Sequence, residues 1–160
     1  MSLEPFTGLA WILAICAGLM AGTYLAFSVV IMKSLATLEP GKGIEAMNAI
    51  NNVILRTAFM PLFFGSTVIA TLMVITGIWF WGEPGANRAF TGGLIYIFGM
   101  FVTTAAANVP LNNELANVQG DGEDAVRTWT NYLNRWTRWN TFRTVASAAT
   151  LVICLDLLTL

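Results

Sequence analysis

The chain has 160 residues, a formal net charge of −1, no histidine, and 11% charged side chains against 56% hydrophobic ones. A soluble domain carries about 25% charged residues, so this composition excludes an ordinary water-soluble globule, and the near-neutral charge excludes a nucleic-acid-binding surface, which needs a basic field. Without histidine there is no His-ligated zinc, copper or non-haem iron site, and the two cysteines, Cys16 and Cys154, lie inside apolar runs and do not make a disulfide scaffold.

Charge-free stretches cover residues 5–32, 57–82 and 89–113. Each exceeds the roughly 20 apolar residues that cross a hydrocarbon core. A fourth stretch, 144–160, carries one charge, Asp156, near its end. The pattern predicts an all-α, four-helix transmembrane bundle, one domain over residues 1–160, with helices at about 6–32, 57–81, 90–109 and 137–160. Connections 33–56 and 110–136 lie between helices one and two and between three and four. An amphipathic helix precedes helix two, and a long helical extension leads into helix four.

The first run lacks a basic flank and is longer than the roughly 7–15-residue core of a signal peptide, so it is read as a helix of the mature protein. In it Ala14, Gly18, Gly22 and Ala26 recur every fourth residue, a smooth face for helix packing inside the bundle or between subunits. Tyr24 and Ser28, also four apart, share a different face. The next connection opens with a turn at Glu39-Pro40-Gly41-Lys42-Gly43. Ile44, Met47, Asn48, Asn51, Ile54 and Leu55 then share one helical face. Two asparagines in an apolar stripe either hydrogen-bond neighbouring helices or face a ligand.

Helix two has Pro61 near its start, where proline is tolerated, and Trp79 and Trp81 at the level of an aromatic belt. Glu83-Pro84-Gly85 is a short turn into helix three. That helix meets Pro110, whose ring removes a backbone hydrogen bond and clashes with the carbonyl of Ala106, so a kink or break is expected. After a turn at Gly120-Asp121-Gly122, a long helix starts near Glu123. On it Trp129, Tyr132, Trp136, Trp139, Asn140 and Arg143 fall within about 100° of arc, the width of a buried face, while Arg127 and Arg138 point away.

Loop charges set the orientation. Lys33, Lys42, Arg56, Arg127, Arg135, Arg138 and Arg143 lie on the side of the two long connections, and Arg88 alone lies on the other. The positive-inside rule then places the long connections in the cytoplasm and both termini on the non-cytoplasmic side of a cell (inner or plasma) membrane.

The polar groups gather at the cytoplasmic end. Asn48 and Asn51 precede helix two, Asn108 and Asn112 end helix three, Asn140 and Arg143 open helix four, and Tyr24 and Ser28 reach the same depth. Polar groups at membrane depth are costly and mark function. With Tyr132, Trp136 and Trp139 as aromatic walls, these residues suit a flat, mostly apolar molecule whose oxygen is or becomes negative. The competing reading is equally simple: Arg143 snorkels to a lipid phosphate and the tryptophans form the belt. No glycine-rich phosphate loop follows a strand, and neither cysteine has a haem-binding constellation, so no cofactor is expected. Glu114 is a candidate base, but it projects about 120° from Asn108 on a continuous helix.

The run Asn108-Val-Pro-Leu-Asn112-Asn, followed by Trp136-Thr-Arg-Trp139-Asn140 and Arg143, resembles the anthrone-oxygenase-like family of small four-helix membrane proteins. Gly22-Thr-Tyr24-Leu-Ala-Phe27-Ser28 and Ala46-Met47-Asn48-Ala-Ile-Asn51 match its pattern too. The resemblance covers nearly the whole chain and implies a four-helix bundle. Some fungal relatives are linked to oxidation of an anthrone to an anthraquinone. Such a reaction needs a site that binds the ring system and stabilises an enolate oxygen, which assigns Arg143 with Asn108 and Asn140 to catalysis. Tyr24, Ser28, Asn48, Asn51, Asn112, Tyr132, Trp136 and Trp139 would then bind substrate. The histidine that some relatives carry near the second helix is missing here, so a histidine-dependent mechanism does not carry over. Two functions stand: a cofactor-independent oxygenase, or a non-enzymatic small-molecule- or lipid-binding protein that self-associates or serves a larger membrane complex.

Overall fold

Helix boundaries in the computed structural model, which describes residues 4–118 and 122–160, follow from a handful of backbone-shaping residues. α1 begins as Glu4–Ala26, widens into a π-helical stretch at Phe27–Ile31 and closes with Met32–Leu35. α2 is Pro40–Ile54, with Pro40 in the first turn, where its missing N–H has no intrahelical partner to lose. α3 is Phe59–Trp79. The turn after it uses Gly82 and Gly85, both at positive φ (97° and 88°), a region closed to most side chains. α4 runs through Ala86–Tyr96, Ile97–Val102, Thr104–Asn108 and Val109–Ala116. α5 is Glu123–Leu158, with Glu123 and Asp124 in its first turn, facing the positive end of the helix dipole. The expected turn at Gly120 and Asp121 lies outside the described residues.

α1, α3, α4 and α5 are each long and apolar enough to cross a membrane. The all-helical architecture is that of a bundle, with the amphipathic α2 ahead of α3. Apolar side chains cover its outside as well as its inside: Ile15, Val30, Val68, Ile78, Val145 and Val152 are all exposed. These are the features of a membrane protein, whose outer surface is solvated by hydrocarbon.

Pro110 does not end its helix. The chain stays helical to Ala116, and the two turns before the proline are wide π turns, at Ile97–Val102 and Thr104–Asn108. Wide turns of this kind take up a disturbed hydrogen-bond ladder without leaving the helix.

Packing is uneven along α4. Its Ala86–Tyr96 half lies against both α3 and α5, while the Thr104–Ala116 half stays on α5, leaves α3 and meets α2. Glycines explain the tight half. A methyl group on Gly93 would stand 2.6 Å from the carbonyl oxygen of Ala70, and one on Gly77 would stand 2.7 Å from the backbone nitrogen of Phe90. The loose half faces the first turns of α3, which carry Phe59, Phe63 and Phe64. Small residues draw the two helices together at one end, and rings hold them apart at the other. α1 packs mainly on α5. Its buried side is Ala10, Leu13, Ala17, Met20 and Tyr24, whereas Gly22 and Ala26 of the small-residue stripe are exposed.

Candidate functional site

Two buried clusters meet where α3 and α4 diverge. One contains Tyr24, Phe63 and Met100, the other Met47, Tyr132 and Trp136. Between them lies a cavity of about 440 Å³, within the range of small-molecule sites. Its wall includes Tyr24, Asn48, Asn51, Asn108, Asn112, Trp136, Asn140 and Arg143. Eight of the residues singled out in the sequence therefore share one surface.

Arg143 is the centre of the polar wall. It is only 5% exposed. Its Nη1 donates to Thr104 Oγ1 at 3.0 Å and its Nη2 to Asn140 Oδ1 at 2.7 Å. The guanidinium lies over the Tyr24 ring, 4.2 Å from its centroid, and 5.4 Å from that of Trp136. Asn140 is fixed from behind: its Nδ2 donates to the Tyr24 carbonyl at 2.6 Å and to Ser28 Oγ at 2.7 Å. Thr141 spends its hydroxyl proton on the Thr137 carbonyl, so Ser28 donates to Thr141 across 3.0 Å. Ser28 thus orients Asn140 and does not line the cavity. Tyr132 also works from behind. Its hydroxyl donates to Asn112 Oδ1 at 2.8 Å, and its ring is stacked between Trp129 and Trp136.

Trp139 is placed differently from the expectation. It is exposed, in edge-to-face contact with Phe142, and does not touch the cavity. At 100° per residue it sits at one edge of the predicted arc, and the edge turns outward at that depth. Arg127 and Arg138 are exposed as expected, and Glu114 is exposed and absent from the wall.

Six buried polar atoms in the wall make no hydrogen bond of normal geometry with the described residues: Tyr24 Oη, Asn48 Oδ1, Asn51 Nδ2, Asn108 Oδ1, Trp136 Nε1 and Arg143 Nε. Folded proteins leave few such groups. They cluster around one cavity, but each is less than 1 Å² accessible, so a bound molecule would meet them only after side chains of the wall shift. The rest of the wall is apolar, with Phe27, Met47, Phe59, Phe63, Phe64 and Phe101. Phe59, Phe63, Phe64 and Phe101 do not stand out in the sequence, because an apolar residue in a spanning helix reads the same whether it faces lipid or a cavity. Thr104 was detectable: it precedes Asn108 and Asn112 at four-residue intervals. The wall holds no His, Cys, Asp or Glu, and no group of three such side chains forms among the described residues.

A family model described as anthrone oxygenase matches residues 54–153, from the end of α2 through most of α5. The chain belongs to the anthrone oxygenase family. No curated protein and no solved structure matches it. The family match takes in Thr104, Asn108, Asn112, Trp136, Asn140 and Arg143. Tyr24, Asn48 and Asn51 precede the matched residues in sequence and line the same cavity.

Proposed function

We propose that the cavity binds a flat, mostly apolar molecule and that the chain oxygenates an anthrone-like phenolic there. The observation that carries this reading is Arg143: a buried guanidinium in the cavity wall, braced by Thr104 and Asn140 and stacked on Tyr24. Membership of the anthrone oxygenase family supports an oxygenase-like role at the level of the family. In the proposed reaction Arg143 and Tyr24 bond the ketone oxygen, and the ring-bound methylene loses a proton to water as the enolate forms. Fixed donors in a water-poor site favour that charge strongly. The enolate gives one electron to dioxygen, the two radicals combine at the former methylene carbon, and the resulting peroxide loses water. Anthrone and dioxygen thereby become anthraquinone and water, with one oxygen atom in each product. Asn140 acts at the ketone end through Arg143, which it braces, and Asn108 through the amide hydrogen that its bond to the Trp136 carbonyl leaves over, while Tyr24, Asn48, Asn51, Asn112, Trp136 and the phenylalanines hold the rings.

The test is incubation of the purified chain with anthrone under ¹⁸O₂. Label should enter the new carbonyl faster than with an equally folded Arg143→Leu chain, and equal rates sink the enzymatic reading. A second reading, a non-enzymatic small-molecule- or lipid-binding protein or accessory subunit, is favoured by the exposed strip at Gly22 and Ala26, where a second copy or a partner helix fits. A copurifying ligand without turnover would select it. For either role we propose a multi-pass protein of the cell membrane with both termini outside, because the basic residues crowd the long connections. A reporter fused after Leu160 that proves cytoplasmic overturns this orientation.

A further inference from the structure

We infer that the cavity is loaded sideways from the bilayer, through an opening between α3 and α4 framed by Phe64, Phe101, Ala105 and Val109, and that its substrates are molecules already dissolved in the membrane. The inference rests on the reading of the cavity as a substrate site. It starts from the uneven packing of α4. Gly77 and Gly93 close α3 onto α4 at one end, and the helices part where the Thr104–Ala116 half, still on α5, leaves α3 and meets α2. The cavity occupies that gap.

A residue that lines a cavity while remaining exposed marks its rim. Phe64 is 52% exposed and Val109 42%, Ala105 is exposed, and all three line the cavity. Their depth follows from helix rise. Phe64 lies about 10 Å inside the uncharged stretch that begins at residue 57, and Ala105 about 12 Å inside the one that ends at residue 113. Both rim positions are therefore level with one another and within hydrocarbon.

Between α3 and α4 the rim is carbon only, and the unpaired polar atoms lie deeper, on Tyr24, Asn48, Asn51, Asn108, Trp136 and Arg143. Rings lead inward from it. Phe64 and Phe101 meet edge to face at 6.3 Å across the gap, and Phe63 stands 5.5 Å from Phe101 and 6.0 Å from Phe59. A flat hydrocarbon passes such a rim without losing hydration, whereas a hydrated ion does not. The competing route is the edge between α2 and α4, where Asn52 and Asn113 are exposed and line the same cavity from the water side. Its amides favour polar solutes, which the mainly apolar wall would hold poorly.

The experiment distinguishes the two routes in one folded protein. The full chain is reconstituted in phospholipid vesicles with Cys16→Ala and Cys154→Ala, and with all tryptophans except Trp136 changed to Phe. Anthracene dissolved in the bilayer is the probe, and saturable quenching of Trp136 is the signal. A single cysteine is introduced as Ala105→Cys or as Asn113→Cys and then capped by a bulky, reducible thiol reagent. Capping at 105 should slow saturable association at least about tenfold, and reduction should restore it, while capping at 113 should change it less than about twofold. The reverse pattern overturns lateral loading and leaves the substrate site standing. Absence of saturable quenching in the uncapped chains overturns the site itself, and the inference with it.

Discussion

Changing Arg143 to lysine tests the cavity more sharply than deleting the charge. The guanidinium makes two bonds in one plane, at 3.0 Å to Thr104 and 2.7 Å to Asn140, while stacking on the Tyr24 ring. An ammonium on a flexible stem keeps one bond at most and loses the flat stacking face. A hydrogen bond from a charged donor contributes about 1.5–3 kcal/mol, and the stacked cation about 0.5–2 kcal/mol. Losing one bond and part of the stacking costs about 2–4 kcal/mol, or roughly 30- to 1,000-fold in affinity if it falls wholly on the bound state. Arg143→Lys should therefore bind a flat phenolic ketone nearly as badly as Arg143→Leu. The assay titrates the probe into both variants after thermal unfolding has confirmed that they are comparably folded. A lysine variant that is well folded and binds within about threefold of the original refutes the reasoning. It would mean that Arg143 only snorkels to headgroups, a task lysine performs equally well.

Other substitutions separate positioning from contact. Asn140→Leu removes two donated bonds and one accepted bond, so it should lower stability by about 2–4 kcal/mol in denaturant melts and weaken binding because Arg143 loses its brace. Gly99→Ala would push a methyl group to 2.3 Å from the Ala146 Cβ, an overpacking cost of about 1–3 kcal/mol. Adding Ala146→Gly should recover most of that loss, and failure to do so would show that the helix contact is not the cause. Trp139→Ala should leave binding of the aromatic probe within about twofold, because its ring faces outward. A large loss would place Trp139 at the ligand.

The long helix α5 was the most legible element. Its aromatic and polar residues repeat at helical spacing in a segment that still carries charge, so Trp129, Tyr132, Trp136, Asn140 and Arg143 could be phased, and all are buried. Trp139 escaped because phase gives a direction, not the depth at which a neighbouring helix leaves that direction uncovered. Phe59, Phe63, Phe64 and Phe101 could not be read at all. In hydrocarbon the inner and outer faces of a helix demand the same side chains, so the alternation that marks a core in water vanishes. The π-helical stretches were invisible for a related reason. Thr104 and Asn108 look like ordinary helix residues, and nothing local signals that the turns before Pro110 are widened. Ser28 was rightly placed near the polar end, but its partner, Asn140, lies 112 residues away, and pairing at that distance is a property of the fold.

One consequence of the wall's composition concerns thermodynamic linkage. Arg143 is its single formal charge, and the ion pairs among the described residues, Lys42–Glu45, Arg88–Asp156 and Arg127–Asp124, all lie elsewhere. The chain thus keeps a permanent cation without a counter-ion in a medium of low dielectric constant, where an opposite charge is felt far more strongly than in water. A ligand that arrives neutral and ionises in place supplies the missing counter-ion and discards a proton. Its affinity should rise with pH as long as the free ligand remains un-ionised, and proton release should accompany binding in an unbuffered titration. By reciprocity, saturation with such an acid should raise the melting temperature more than saturation with an isosteric hydrocarbon of equal affinity for the rings, since binding to the folded state alone converts directly into stability.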